Sequence, residues 1–241
     1  MIYNQADYAV RCEWGAQGVA QLAPISDVVI IVDVLSFTTC VEIAVSRGAT
    51  VYPFGFRNDS ARTYAVAVGA LLANHRRSAA GYTLSPASLL TLPAGARIVL
   101  PSPNGSTLSI STGATPTLAG CLRNAQAVAA AALTFGERIA VIPAGERWRD
   151  GSLRPAWEDW AGAGAIIAHL PGRRSPEAAA ALAAFTAARD DLYAALCGCA
   201  SGKELIEGGF GGDVRLAAGL NVSEVAPLLT QGAYRAGATV Q

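Results

Sequence analysis

The chain has 241 residues, 52% of them hydrophobic and only 15% charged, which excludes a disordered chain and leaves ample material for a large buried core. Eighteen basic residues balance eighteen acidic ones, and no basic run exists to meet a nucleic-acid backbone, so DNA and RNA binding are excluded as functions. No apolar run approaches the roughly 18 residues of a membrane span, and "MIYNQADYAVRCEWG" lacks the charged start and apolar stretch of a signal peptide. Five scattered cysteines (12, 40, 121, 197, 199) read as reduced thiols, so a cytoplasmic location is expected.

In chain order, 8–14 and 27–34 read as strands, the second ("DVVIIVDV") apolar throughout its middle, as befits a central strand covered on both faces. Residues 38–48 have helical periodicity and end at Gly48, a plausible cap. A short strand at 50–54 precedes a helix over 59–75, with Asp59 or Ser60 as its N-cap. Residues 76–95, rich in Gly, Ser and Pro, read as a loop. A strand at 96–101 runs into a helix beginning near 106, and 123–135 is a clear helix. A strand-to-loop unit at 138–145 and helices at 157–170 and 175–198 follow, and 213–236 reads as a helix, a break and a further short segment. This alternation predicts one α/β domain over 1–241, a three-layer α/β/α sandwich with a largely parallel sheet, a mixed sheet being the alternative.

The polar residues collect where the strands end. Asp33 closes the 27–34 strand, with Ser36, Thr38 and Thr39 just beyond it. The 96–101 strand runs into Ser102, Pro103, Asn104, Gly105 and Ser106; "TLAG" meets Cys121, Leu122, Arg123 and Asn124; the 138–143 strand opens to Glu146, and Glu158 and Asp159 begin a helix. Ligands of open α/β sheets bind beyond the carboxyl ends of strands. One parallel edge would therefore gather hydroxyls, an amide, an Arg and up to four carboxylates into one crevice. Its small polar turns would present backbone N–H groups to an anionic ligand, and Gly105 would let the main chain come close.

Each feature alone has an ordinary explanation: a turn, an N-cap, a first-turn acid favoured by the helix dipole, or an Arg that pairs with it. Their coincidence is what points to a site. Known machinery is absent. There is no G-x-x-x-x-G-K-[ST], no D-x-D at Asp33, and Cys40 and Arg47 are one residue too far apart for a C-x₅-R loop. Cys197 and Cys199 lack the spacing of a zinc site and read as structural. His75 reads as a surface residue and His169 as a cap or core residue, which leaves acid–base work to carboxylates.

The blocks "VDVLSFTTCVEIAVSRGA", "LPSPNGS", "AGCLRNAQAVA", "VIPAGE", "WEDWAGAGAII" and "DVRLAAGLNVSEVAPLL" fall in the order of the 2-phosphosulfolactate phosphatase (ComB) family, which the chain resembles from about residue 25 to 230. The resemblance implies a Mg²⁺-dependent phosphatase linked to coenzyme M biosynthesis, acting on a phosphoester beside a carboxylate and a sulfonate. Asp33, Ser102, Asn104, Gly105, Arg123, Asn124, Glu146, Glu158, Asp159 and Asp213 match family blocks. Ser36 stands where the family usually has Arg, and Thr83 where it has Asp, with Tyr82 for Phe. A fixed positive charge and a candidate metal ligand are thereby lost, so weak activity on phosphosulfolactate is expected unless Arg76 or Arg77 substitutes.

The expected assignment follows. Asp33 with Glu158 or Asp159 would hold Mg²⁺ through oxygen ligands, and Arg123 with the 102–106 turn would hold phosphoryl oxygens. Thr38, Thr39, Ser102, Asn104, Gly105, Ser106 and Asn124 would line the substrate site, and Glu146 would orient or deprotonate water. A phospho-aspartyl intermediate on Asp33 stays open, as does a non-catalytic protein that binds the same small anionic ligand. A homo-oligomer is the expected assembly.

Overall fold

The computed structural model describes residues 2–55, 59–74 and 80–237; His75, Arg76 and Arg77 lie outside the described residues. Strands β1 (Val10–Cys12), β2 (Val28–Val32), β3 (Thr50–Phe54), β4 (Leu71–Leu72), β5 (Arg97–Pro101), β6 (Thr117–Gly120) and β7 (Ile139–Pro143) belong to the main sheet. A small hairpin, β8 (Glu146–Arg147) and β9 (Leu153–Arg154), stands apart, and β10 (Pro227–Thr230) and β11 (Ala233–Ala236) return to the main sheet. Its order is β1-β7-β2-β6-β10-β11-β3-β5-β4.

The helices are α1 (Gly15–Leu22), α2 (Phe37–Ser46), α3 (Asp59–Ala67), α4 (Pro86–Leu89), α5 (Gly105–Ser111) and α6 (Ala125–Leu133), followed by α7 (Trp157–Ile167), α8 (Pro176–Ala188), α9 (Leu192–Gly198), α10 (Ala200–Glu207) and α11 (Gly211–Ala217). None is long and apolar enough to cross a membrane among the described residues.

Strand β2 shows why three layers form. Its five residues are all buried, and alternate side chains point to opposite faces. Val28, Ile30 and Val32 share a core with Val128 of α6, Ile166 of α7 and Ala181 of α8, whereas Val29 and Ile31 pack with Val19 and Leu22 of α1 and Leu108 of α5. The small residues of "AGAGA" let α7 and α8 nearly touch: a Cβ at Gly164 would lie 2.0 Å from the Ala181 carbonyl oxygen. Any side chain there would force the helices apart.

The expected sandwich is present, but one parallel edge is not what assembles the site. β1, β7, β2 and β6 are mutually parallel, as are β3, β5 and β4. The hairpin β10–β11 lies between the two groups, antiparallel to β6 on one side and to β3 on the other. Across those three antiparallel pairings the two halves run in opposite senses. Sheet twist reconciles this with a shared site. At about 20–25° per strand, the five steps from β2 to β5 rotate the strands by roughly 100–125°, leaving opposed strands about 55–80° apart in space. The carboxyl ends of β2 and β5 can then meet.

Several boundaries differ from the sequence reading, each for a local reason. The end of the chain forms a hairpin, turning through Gln231 and Gly232 at φ +51° and +76° in the manner of Asn-Gly turns. The 59–75 segment is helical only to Ala67 before the short β4, and 175–198 breaks at a 3-10 turn, Arg189–Asp191. Pro86 opens the short α4 inside the expected loop. Cys199 has the structural role expected of it: its Sγ accepts the Gly202 N–H and caps α10. His169 is exposed after α7 and faces Asn221, so it is not a core residue.

On the first strand the fold buries a charge. Arg11 is 1% exposed, its Nη2 donates to the Ile25 carbonyl at 3.3 Å, and its Nε and Nη1 have no partner. Burial, reinforced by nearby Arg138, pulls its pKa down. Unpaired buried N–H groups cost about 1–3 kcal/mol, so Arg11→Met should stabilise the fold by ~1–2 kcal/mol and raise the unfolding midpoint by roughly 2–8 °C. A lower midpoint would show that Arg11 holds a stabilising group.

Candidate active site

Asp33 sits at the β2–α2 turn, 6% exposed, and both its oxygens are held by backbone. Oδ1 accepts the Phe37 N–H at 3.0 Å and Oδ2 accepts the Gly105 N–H at 2.9 Å. The second bond spans 72 residues and joins the two halves of the sheet. It requires glycine: a Cβ at Gly105 would lie 2.3 Å from Phe37 Cδ1 and 2.7 Å from Asp33 Oδ2.

Asp159, in the first turn of α7, does a similar job. Its Oδ1 accepts the Val34 N–H at 2.7 Å and its Oδ2 the Gly145 N–H at 2.8 Å, pinning the ends of β2 and β7 together. Glu158 beside it is 2% exposed, and its Oε2 is buried with no hydrogen-bond partner. Glu146 opens the β8–β9 hairpin and accepts from Asn104 Nδ2 at 2.8 Å.

These carboxylates feel one another. Burial pushes the Glu146 carboxyl up to about 7, helped by the charges of Asp33 and Glu158 and opposed by the Asn104 hydrogen bond and Arg154. Asp159 is pushed well above the carboxylate range by burial, then by Asp33 and Glu158, against the lowering effect of the Val34 N–H. The Cys199 thiol, raised to about 12 by burial and then by the charge of Glu158, borders the same cluster and stays protonated.

A pH dependence follows. A carboxyl that titrates near 4.5 unfolded and near 7 folded stabilises the protein below pH 4.5, and that contribution is lost as pH rises to 7. At ~1.4 kcal/mol per pH unit, discounted for partial exposure, ionising it costs about 1–3 kcal/mol. Glu146→Gln should therefore be more stable than the parent by that amount at pH 8, with the gap closing below pH 4.5 in denaturant titrations. A constant gap across pH would contradict this.

The structure brings Asp33, Asn104, Gly105, Glu146, Glu158 and Asp159 together. Other expected site residues are spent on the scaffold. Thr38 Oγ1 accepts the Asp33 N–H at 2.9 Å and donates to the Asp33 carbonyl at 2.8 Å, while Thr39 Oγ1 donates to the Val34 carbonyl. The Ser102–Ser106 turn also looks inward: Ser102 Oγ accepts the Asn104 N–H and Ser106 Oγ donates to the Leu100 carbonyl. The turn thus fixes Asp33, where the sequence suggested that it cradles a ligand. Asn124 accepts the Cys121 N–H and donates to the Ala119 and Val225 carbonyls.

Arg123 has a different partner from either candidate in the sequence reading. Its Nε lies 2.5 Å from Oε2 of Glu42, a residue of α2 with no exposed side-chain surface, and its Nη1 donates to the Leu216 carbonyl at 3.0 Å. Glu42 was readable as a lone charge on the buried face of a helix. Asp213 accepts from Ser85 Oγ and the Ala87 N–H, capping α4. Ser36, expected at the mouth of the site, is 2% exposed within the turn, and Thr83 bonds locally to Ser88.

Beside Asn104 and Glu146 lies a cavity of about 140 Å³, walled by the first turn of α1, Trp14, Leu108 and the β8–β9 hairpin. Neither α1 nor the hairpin was anticipated from sequence. Among the described residues, no group of three His, Cys, Asp or Glu side chains is arranged to hold a metal by itself. Magnesium does not require one: it is usually bound by one or two carboxylates, with waters and substrate oxygens completing the shell. The unpartnered Glu158 Oε2 among mutually repelling carboxylates is suited to such a cation.

An α/β/α sandwich gathering four carboxylates beside a small cavity defines an acid-centred α/β protein. Comparison with known proteins specifies it further. The family model for 2-phosphosulpholactate phosphatase matches residues 17–232. A curated relative from Carboxydothermus hydrogenoformans, named "Probable 2-phosphosulfolactate phosphatase", is 33% identical over 207 residues, covering 83% of this chain and 84% of its own. The chain belongs to the 2-phosphosulpholactate phosphatase family, as its sequence blocks implied.

Proposed function

We propose that the protein is a Mg²⁺-dependent phosphatase that hydrolyses 2-phosphosulfolactate to sulfolactate and inorganic phosphate. Family membership supports the reaction. The observation that carries the site assignment is the buried, unpartnered Glu158 Oε2 set among Asp33, Glu146 and Asp159. Ionised carboxylates of this cluster would repel a phosphate dianion, so a cation is needed between them.

Asp33 and Glu158 would hold the magnesium, with Asp159 fixing the strand ends that carry them. Bound there, Mg²⁺ supplies neutralising charge to the phosphoryl oxygens. Water adds to phosphorus, the P–O bond to the sulfolactate carbon side breaks, and one proton moves from the water to the departing alkoxide. Glu146, beside those ligands at the mouth of the cavity, would carry that proton. Asn104 Nδ2 holds the Glu146 carboxyl in place for this task. Direct attack by water is favoured over a phospho-aspartyl intermediate, because backbone N–H bonds to both oxygens of Asp33 blunt it as a nucleophile.

The test is phosphate release from 2-phosphosulfolactate with Mg²⁺ and after chelation. Release that stops on chelation and returns with Mg²⁺ is expected. Tight binding of the ester without turnover would instead make this a binding protein.

A further inference from the structure

We propose that the cavity beside Asn104 and Glu146 is the leaving-group pocket, and that Arg147 sets specificity by pairing with an acidic group on the alcohol half of the substrate. This rests on the phosphatase reading and adds to it where the organic part of the ester lies. Asn104 and Glu146 belong both to the carboxylate cluster and to the cavity wall, so a phosphoryl group held at the cluster directs its ester oxygen and carbon skeleton into that space.

The cavity's size selects its occupant. At about 140 Å³ it has room for a short-chain acid. Its chemistry selects further. Trp14, Leu108 and Leu153 offer an apolar surface to a carbon chain, while Arg147, exposed on the hairpin, is the one cationic residue among its lining residues. Arg147 follows Glu146 on β8, and its Nη1 donates to the Gly151 carbonyl at 3.1 Å across the hairpin. That bond aligns the guanidinium and leaves its other N–H groups without protein acceptors among the described residues. A guanidinium offers a forked pair of donors to carboxylate or sulfonate oxygens. Arg154, opposite Glu146 on the hairpin, also acts on that carboxyl but is not part of the cavity wall.

Three esters of one secondary alcohol skeleton separate the contributions: 2-phosphosulfolactate, 2-phospholactate without the sulfonate, and isopropyl phosphate without either acid. In the parent protein KM should rise along that series. Arg147→Gln should raise KM for 2-phosphosulfolactate roughly 10- to 100-fold more than KM for isopropyl phosphate, with kcat falling less than KM rises. Ala16→Trp, on the exposed first turn of α1, adds bulk to the cavity wall and should penalise the bulkier esters most.

Equal effects of Arg147→Gln on all three esters, or unaltered KM values in Ala16→Trp, would overturn the pocket. Unfolding midpoints matching the parent confirm that both variants are folded. If the parent releases no phosphate from any ester, the phosphatase reading falls and calorimetric Kd values replace KM. An Arg147-dependent order of affinity would then still support the pocket, and an Arg147-independent one would overturn it.

Discussion

Asp33→Asn should lower phosphate release from 2-phosphosulfolactate by at least roughly 10³-fold, the scale seen when a central charged group of an active site is removed. Two losses combine. The variant lacks one of the negative charges proposed to hold Mg²⁺. It also cannot reproduce the hydrogen bonding of the turn, because Phe37 N–H and Gly105 N–H both require acceptors and an amide offers only one oxygen. One N–H is left facing the amide NH₂, at a cost of about 1–3 kcal/mol. The unfolding midpoint should therefore drop by several degrees while the protein remains folded. Asp33→Glu should not rescue activity, since Phe37 and Gly105 crowd the space an extra methylene would need. More than a tenth of parental turnover in Asp33→Asn would remove this residue from the proposed centre.

Arg123→Ala should destabilise the fold by ~3–5 kcal/mol, a large share of the ~5–15 kcal/mol typical of a domain. Glu42 has no exposed side-chain surface and its Oε1 already lacks a partner. Removing Arg123 strands a buried charge and frees the Leu216 carbonyl that Nη1 ties to α2. For a chain of this length that corresponds to roughly a 6–20 °C lower midpoint. The double variant Glu42→Leu with Arg123→Met should recover most of the loss, because well-packed apolar side chains often replace a buried pair without penalty. Thermal unfolding of the single and double variants checks both halves. A fully stable Arg123→Ala protein without activity would return this arginine to the role that sequence suggested, on the substrate.

The contrast between Asp33 and Arg123 shows how far the sequence carries. Each followed an apolar strand or stretch, and each stood in a polar turn expected to face a ligand. For Asp33, Asn104, Glu146, Glu158 and Asp159 that placement led to one neighbourhood, since residue chemistry and strand ends are local properties. The same locality explains the alternation of strands and helices, and the burial of β2 on both faces, legible in an unbroken apolar run.

Partners across long separations were not legible. Gly105 meets Asp33 across 72 residues, Arg123 meets Glu42 across 81, and Val34 meets Asp159 across 125. Sequence periodicity says which face of an element is apolar, and nothing about which distant polar group completes a hydrogen bond. The small polar turns looked available to a ligand, yet their hydroxyls bond backbone two to six residues away and the Gly105 N–H reaches Asp33 across 72. Nor did the strands reveal that the two halves of the sheet run in opposite senses, because a strand reads alike in parallel and antiparallel pairing when both faces are covered. The sequence by itself determined the layers and the chemical inventory of the site. The tertiary structure decided which of those residues face the crevice and which hold it together, because burial leaves each polar group to find its partner wherever the twisted sheet brings one within reach.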